Sequence, residues 1–396
     1  MKILVINSGS SSIKFQIIEM PSERIICKGL AERIGIENSS VHYENEVESK
    51  TKVHALQNHR DGLEAITRLL MDKKVGVLNS PEEVDVVAHR VVHGGNKFDR
   101  PTRIDRHVLD EIKRLSMLAP LHNPANGIGI EVSSQIFKQA EQIAIFDTAF
   151  HQTLPEKAYR YAIPKKMADQ NHIRIYGFHG TSHKYVCEKA NDYLGKSSSK
   201  IISIHLGNGC SITAVRDGKS IDHSLGFGPS NGLIMGTRSG DIDQSVVFYL
   251  IDSLKMSSSE VNEMLNKKSG LLGLTGYSDL REIQQAAEEG NTDCKLALQM
   301  TAYRVKKYIG SYYAVLNGLD GLIFTAGIGE NSNVLRKLIC NDLETLGIQI
   351  DTKKNEQKSD AILEIQKGES KVKILVVPTN EELEIAKQAH ALLKKA

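Results

Sequence analysis

Four residues in this sequence place charge or hydrogen-bond donors where chemistry is done. Arg90 stands in HRVVHGG, near the end of an apolar run, and the HGG that follows permits close backbone approach. Asp147 follows QIAIF; a carboxylate delivered by an apolar strand suits a catalytic acid or a metal-bound water. His179 stands in GFHGTSHKYV between Gly177 and Gly180, and flanking glycines allow backbone geometry that re-aims a side chain. Arg238 stands in GFGPSNGLIMGTRSGD, which holds five glycines in sixteen residues. A cation in such a loop suits charge that develops on a transferred group. Each also has a plain reading: a surface arginine, a turn aspartate, a helix cap, a flexible connector.

These residues need elements to hold them, and the organising stretch is 3–17, ILVINSGSSSIKFQI. Ile3, Val5 and Ile6 form a short apolar run typical of a buried strand. Asn7, Ser8, Gly9, Ser10, Ser11 and Ser12 are turn chemistry. Ile13, Phe15 and Ile17 alternate with Lys14 and Gln16, the period of a second strand. The expected hairpin brings backbone N–H groups, hydroxyls and an ammonium to one concavity, which suits phosphate and also describes an ordinary Ser/Gly turn. Residues 201–215, IISIHLGNGCSITAV, repeat the pattern: Gly9 falls near Gly207 and Gly209, and Ser12 opposite Ser211. A repeat at that distance is too long for a solenoid. It points to two related domains facing a central cleft, each offering a loop to one ligand.

Along the chain, 24–33 and 41–56 read as further strands, and a mixed sheet follows from strands with no helix between them. Residues 62–70 read as an amphipathic helix with Leu63, Ile66, Leu69 and Leu70 on one face. Strands are expected at 84–92, 142–146, 219–224, 321–325 and 373–377. Helices are expected at 104–118, 126–137, from about 181, and at 242–252, 258–266, 279–289, 292–317 and 334–346. The segment 321–331 reads as strand, Gly-x-Gly turn, then helix, a geometry that seats a phosphate or ribose. Gly327-Ile328-Gly329 lacks the third glycine of the dinucleotide fingerprint, and no GxxxxGK[ST] occurs. Residues 351–373 read as a surface excursion. Glu381 and Glu382 then open the last helix, where carboxylates suit the helix dipole and also suit magnesium.

The bulk numbers bound the answer. With 396 residues, 40% apolar and 25% charged, the chain is globular and long enough for two or three domains. A net charge of +2 and no Trp argue against nucleic acid as a partner. Five scattered cysteines, Cys27, Cys187, Cys210, Cys294 and Cys340, have no CxxC pair, which points to reduced thiols in a cytoplasmic protein. The four apolar residues after Lys2 are too few for a signal peptide, and no run is long enough for a membrane span.

Nine motifs together carry a resemblance: NSGSSSIKF, HRVVHGG, LAPLHNPAN, FDTAFHQT, GFHGTSHKYV, HLGNGCSITAV, MGTRSGDID, FTAGIGEN and PTNEELEIA. With them the chain resembles, nearly end to end, the acetate kinase (acetokinase) family, the acyl-phosphate-forming branch of the superfamily of actin, sugar kinases and heat-shock chaperones. The resemblance implies two duplicated actin-like, ribonuclease H-like α/β domains, at 1–150 with 383–396 and at 151–382. It implies an enzyme that converts acetate and ATP reversibly to acetyl phosphate and ADP by direct in-line transfer, a Mg²⁺ cofactor for which Mn²⁺ substitutes, and a homodimer.

Residue by residue, the resemblance implies that Asn7 and Glu381 hold the metal. Ser10, Ser12, Lys14 and the run His205, Leu206, Gly207, Asn208, Gly209 meet the nucleotide phosphates. Asp279, Leu280, Arg281, Gly327, Ile328, Gly329, Glu330 and Asn331 hold the adenosine end. Arg90 binds the acyl carboxylate or phosphate, Asp147 is the active-site acid group, and His179 and Arg238 stabilise the transition state. Val92, Leu121, Phe178 and Pro229 bound the acyl chain. The chain departs from the usual pattern at Ser8, at HSLGFGPSNGL (223–233) and at Gln244. A propionate kinase shares these motifs. A non-catalytic nucleotide switch of the same superfamily has no need of Arg90, His179 and Arg238 together. Because a carboxylic acid has a pKa of about 4, the acceptor is ionised near pH 7 and needs no general base; Asp147 is expected to orient, not to take a proton. Exclusion of water makes domain closure over nucleotide a further expectation.

Overall fold

The computed structural model describes residues 1–394 apart from Ser10, His54, Leu121 and Ser197. Ser10 and Leu121, named above for phosphate and acyl contacts, therefore lie outside the described residues. The chain forms two compact units, Met1–Ala149 with Asn380–Ala396, and Phe150–Thr379.

The first unit is built on an eight-stranded sheet. Its strands are β1 (Lys2–Ser8), β2 (Ser12–Glu19), β3 (Arg24–Glu32), β4 (Ser40–Asn45), β5 (Ser49–Val53), β6 (Val86–Val91), β7 (Thr102–Arg103) and β8 (Glu141–Phe146). Their order is β5-β4-β3-β2-β1-β6-β8-β7. β1 lies centrally, and Ile3, Leu4, Val5 and Ile6 are all buried, which explains an apolar run without alternation. Each such side chain stabilises the fold by about 1.5–3 kcal/mol. The helix His59–Leu70 buries Leu63, Ile66, Leu69 and Leu70 as its spacing predicts, and Asn58 caps it by accepting from the Asp61 N–H. Two expectations change here. The run 41–56 is two strands, because the Asn45 side chain accepts from the N–H groups of Val47 and Glu48 and turns the chain. The helix Asn123–Ile136 starts three residues before the predicted 126, with Pro124 in its first turn, where the fixed φ of proline favours a helix instead of breaking it.

The second unit carries a six-stranded sheet: β9 (Lys200–Leu206), β10 (Cys210–Arg216), β11 (Lys219–His223), β12 (Gly321–Thr325), β13 (Leu363–Glu364) and β14 (Lys373–Val376), in the order β11-β10-β9-β12-β14-β13. The order and directions repeat those of β3-β2-β1-β6-β8-β7. In each, two antiparallel pairings are followed by two parallel ones and an antiparallel edge. The two hairpins also match in turn length, residues 9–11 against 207–209. The duplication expected from the two glycine-serine hairpins is thus a duplication of whole sheets.

Two further expectations are corrected in this unit. Residues 351–373 are not a plain surface excursion. They form a short helix, Thr352–Asn355, and the edge strand β13, and they bury Ile365 and Asn355. The run is too short to show a period. The Gly-x-Gly segment is itself helical, Ala326–Asn331, and the bend after β12 falls on Ala326, whose φ is 66°, not on a glycine. All five cysteines are free and buried, and no described helix is long and apolar enough to cross a membrane.

Candidate active site

In the first unit the strand ends gather the polar groups. β6 and β8 run parallel with Val91 opposite Phe146, so Arg90 and Asp147 leave neighbouring strands side by side. The Asp147 N–H donates to the Val91 carbonyl. The guanidinium grips the carboxylate with two hydrogen bonds, Nε to Oδ1 at 3.2 Å and Nη2 to Oδ2 at 2.5 Å. The third face of Arg90 reaches across to β1, donating from Nη1 to Asn7 Oδ1 at 3.0 Å. Glu381 Oε2 lies 3.9 Å from Arg90 Nε. Asp147 is 1% and Arg90 18% exposed, so loss of Arg90 would strand a buried carboxylate. Burial pushes the Glu381 carboxyl up to about 6; Arg90 opposes this, and the neighbouring Asp147 and Glu382 add to it. Lys14 is drawn aside: its Nζ pairs with Glu382 Oε1 at 2.7 Å.

Asn7 and Glu381 offer an amide oxygen and a carboxylate, the donors a hard cation takes. Among the described residues no cluster of three or more His, Cys, Asp or Glu is arranged to hold a metal. The donors therefore fit a divalent ion that draws its remaining ligands from phosphate and water, not one held in an all-protein cage.

In the second unit His179 sits at the N-terminus of the helix Gly180–Leu194 with φ 56° and ψ 26°, a left-handed conformation that a side chain adopts at a cost of about 1–3 kcal/mol. Gly177 beside it is also left-handed, at φ 76°, and a Cβ there would lie 2.6 Å from the His151 ring. The geometry foreseen from the flanking glycines is thus shared by the histidine itself. The His179 ring stacks on His205, 4.4 Å between centroids and 19° between planes. A Cβ on Gly209 would meet His179 Nε2 at 3.4 Å and Arg238 Nη1 at 3.9 Å. The absent side chain leaves room in front of two donors. Arg238 donates to the Pro229 carbonyl at 2.9 Å, and no described carboxylate pairs with it. Burial pulls its guanidinium below the ordinary value. A partly desolvated cation without a counter-charge is poised for an anion.

A cavity of about 870 Å³ in the same unit takes in Gly207 and Asn208 from the hairpin, Asp279 to Arg281, and Gly327, Ile328 and Asn331. Several residues named for nucleotide contacts also hold the fold together. Leu206 is core. A Cβ on Gly329 would crowd the Phe324 backbone at 3.4 Å. Glu330 Oε1 accepts from the N–H groups of Ala326 and Thr379. His205 is buried, with Nδ1 2.9 Å from Ser182 Oγ. Asp279 caps its helix and pairs with Arg281. Val92 and Phe178, named for the acyl chain, are both buried, and the main-chain groups of Phe178 bond His223 and His151. Sequence reasoning missed Gln284, Ser332 and Lys358, which also line the cavity. Gln284 lies one helical turn beyond Leu280 and was legible from spacing; Lys358 gave no signal.

A duplicated α/β fold, with a carboxylate-gripped arginine in one unit and, in the other, an arginine with no described carboxylate partner and a roomy glycine-lined cavity, is what a phosphotransferase requires. The model of the acetokinase family matches residues 2–387. An acetate kinase of Flavobacterium johnsoniae is 56% identical over the full length of both chains, and one of Thermotoga maritima is 48% identical over 100% of this chain and 99% of that one. The crystal structure of Porphyromonas gingivalis acetate kinase superposes with a TM-score of 0.93 at 43% identity, covering 99% of each chain. A propionate kinase from Francisella tularensis superposes at 0.92 with 45% identity over 98% of each. The chain belongs to the acetokinase family.

Proposed function

We propose that this enzyme transfers the terminal phosphoryl group of ATP to acetate, reversibly, giving acetyl phosphate and ADP. The observation that carries the reading is the pair of arginines in opposite states: Arg90 oriented by Asp147, and Arg238 partly buried with no carboxylate partner among the described residues. An acetate oxygen forms a bond to the γ-phosphorus while the bond from that phosphorus to the β–γ bridging oxygen breaks, and ADP leaves with the electron pair. Acetate is already ionised, so no residue takes a proton. Arg90 binds the carboxylate, with Val92, two residues along the chain, against the methyl group. His179 and Arg238 donate to the equatorial oxygens as charge builds on them. Gly207 and Asn208 bind the phosphates, and the cavity beyond takes the adenosine. Asn7 and Glu381 would hold the divalent ion, Mg²⁺ or Mn²⁺, which neutralises charge on the phosphates.

Hydroxylamine trapping tests the reading. With ATP, the metal and each of acetate, propionate and butyrate, acyl hydroxamate should form and need both ATP and acid, most of it from acetate. Propionate is the second reading, favoured by the 45% identical propionate kinase structure; one methylene is worth only about 1–3 kcal/mol. Nucleotide binding with no hydroxamate from any acid would leave a nucleotide switch instead.

The active species is a homodimer in this reading. The helix Gln244–Asp252, QSVVFYLID, is apolar in composition yet buries none of its residues; Phe248 is 61% and Tyr249 57% exposed. Apolar side chains displayed together on one helix are what an interface covers.

A further inference from the structure

Behind His179 lies a row of polar side chains that the transfer reaction, as described, does not use. His179 Nδ1 is 2.9 Å from Ser211 Oγ. Ser211 Oγ is 2.7 Å from His183 Nε2, and His183 Nδ1 is 2.9 Å from Ser203 Oγ. Ser203, Ser211 and His183 are fully buried. Burial, reinforced by the neighbouring His151 and His205, holds His183 well below the ordinary histidine value, so it is neutral.

A count of hydrogens limits what this row can do. Neutral His183 has one N–H and Ser211 one O–H. Ser211 lies between two ring nitrogens and can donate to only one of them. In one arrangement His183 Nε2–H donates to Ser211, and Ser211 donates to His179 Nδ1. The proton of a neutral His179 is then on Nε2, the atom that faces Gly209. In the reverse arrangement His179 Nδ1–H donates to Ser211, Ser211 donates to His183 Nε2, and His183 Nδ1–H donates to Ser203. A neutral His179 then turns a lone pair toward the position of an anion. Only the first arrangement makes it a donor without adding charge.

We propose that Ser211 and His183 are positioning residues that fix the proton of His179 on Nε2, so that the imidazole meets the transferred phosphoryl group as a neutral donor. This rests on the phosphoryl-transfer reading above. Among the described residues, several charged and titratable groups stand around the row. His205 stacks on His179, and Gly209 lies between the His179 Nε2 edge and the Arg238 guanidinium, 3.4 and 3.9 Å from where its Cβ would be. His151, His205 and His223 surround His183 at 5.9, 6.0 and 5.4 Å, and the Cys187 thiol bonds Ser203. None of these named groups is a carboxylate.

The experiment combines ¹⁵N-histidine NMR on the full chain with a mutant cycle. The wild-type spectrum should show His179 as the Nε2–H tautomer with ATP analogue bound. Ser211→Ala should lower kcat by about 10–100-fold, the usual cost of losing the partner that orients a working histidine, with both KM values within about twofold. Ser211→Thr, which keeps the hydroxyl, should recover most of it. In a His179→Ala background Ser211→Ala should cost nothing further. Equal losses in the two backgrounds, or His179 protonated on Nδ1, would overturn the proposal. The wild-type spectrum decides even if Ser211→Ala does not fold. An enzyme without acyl phosphate activity would remove the functional reading, while the tautomer would still report on the row itself.

Discussion

Among the described residues the Arg238 guanidinium makes one hydrogen bond, to the Pro229 carbonyl, so little of the fold hangs on it. Arg238→Ala should therefore fold normally and lose about 10³–10⁵ in kcat, the range for an arginine that meets transition-state charge. Circular dichroism with steady-state kinetics checks both halves. Asp147 differs, because both its oxygens hold Arg90. Asp147→Asn should lose kcat at every pH. Recovery at high pH, or with a more acidic acyl substrate, would mean that Asp147 takes a proton after all. Ser8 gives a prediction of opposite sign. Its buried Oγ has no hydrogen-bond partner among the described residues, and Gly129 packs against it so closely that a Cβ there would sit 2.7 Å away. Ser8→Ala should raise stability by about 1 kcal/mol in a urea titration, because it removes an unsatisfied hydroxyl. The chemistry-bearing residues were legible as types in unusual settings. Their partners were not: nothing in the sequence says that Ser211, thirty-two residues after His179, stands behind it.

Strands were legible because their apolar runs end in polar residues, and the duplication was legible because both hairpins put glycine and serine at the same place. The edge strand β13, the left-handed turn at Ala326 and the helical start at Pro124 were hidden, because two- to four-residue features leave no periodicity to read. Buried histidines on and just beyond β6 set the acid limit of stability. Burial lowers His89, bonded to Gln142 at 2.8 Å, and His93 to about 4 each. Unfolded histidine takes its proton near pH 6.5. Between there and pH 4 the unfolded chain binds more protons, so stability is full above 6.5 and falls as pH falls, by up to about 1.4 kcal/mol per unit for each histidine. His183 and His223, also lowered, act in the same direction. Glu381, raised to about 6, and Asp222, raised by burial, act in the opposite one and are outnumbered. Urea midpoints should drop steadily from pH 7 to pH 5; a flat profile would refute the assignment.

The two units differ in what they leave exposed. In the proposed homodimer, Phe248→Glu on the helix Gln244–Asp252 should shift sedimentation from dimer toward monomer at micromolar concentration, and an unchanged profile would overturn that interface. The sequence showed that helix as apolar but could not say that it faces outward, since an apolar stretch reads the same in a core and in an interface.

The first unit is discontinuous: the helix Glu381–Lys394 packs Leu383, Ile385, Ala386 and Ala389 into it, and Lys387 pairs with Glu23. On the ribosome this inverts the order of completion. Residues 1–149 emerge first but cannot close until 150–379 have been made, on the order of tens of seconds at about 5–20 residues per second. The unit that carries Arg90 and Asp147 is born first and finished last, and during that interval it is the part of the nascent chain that chaperones have reason to hold.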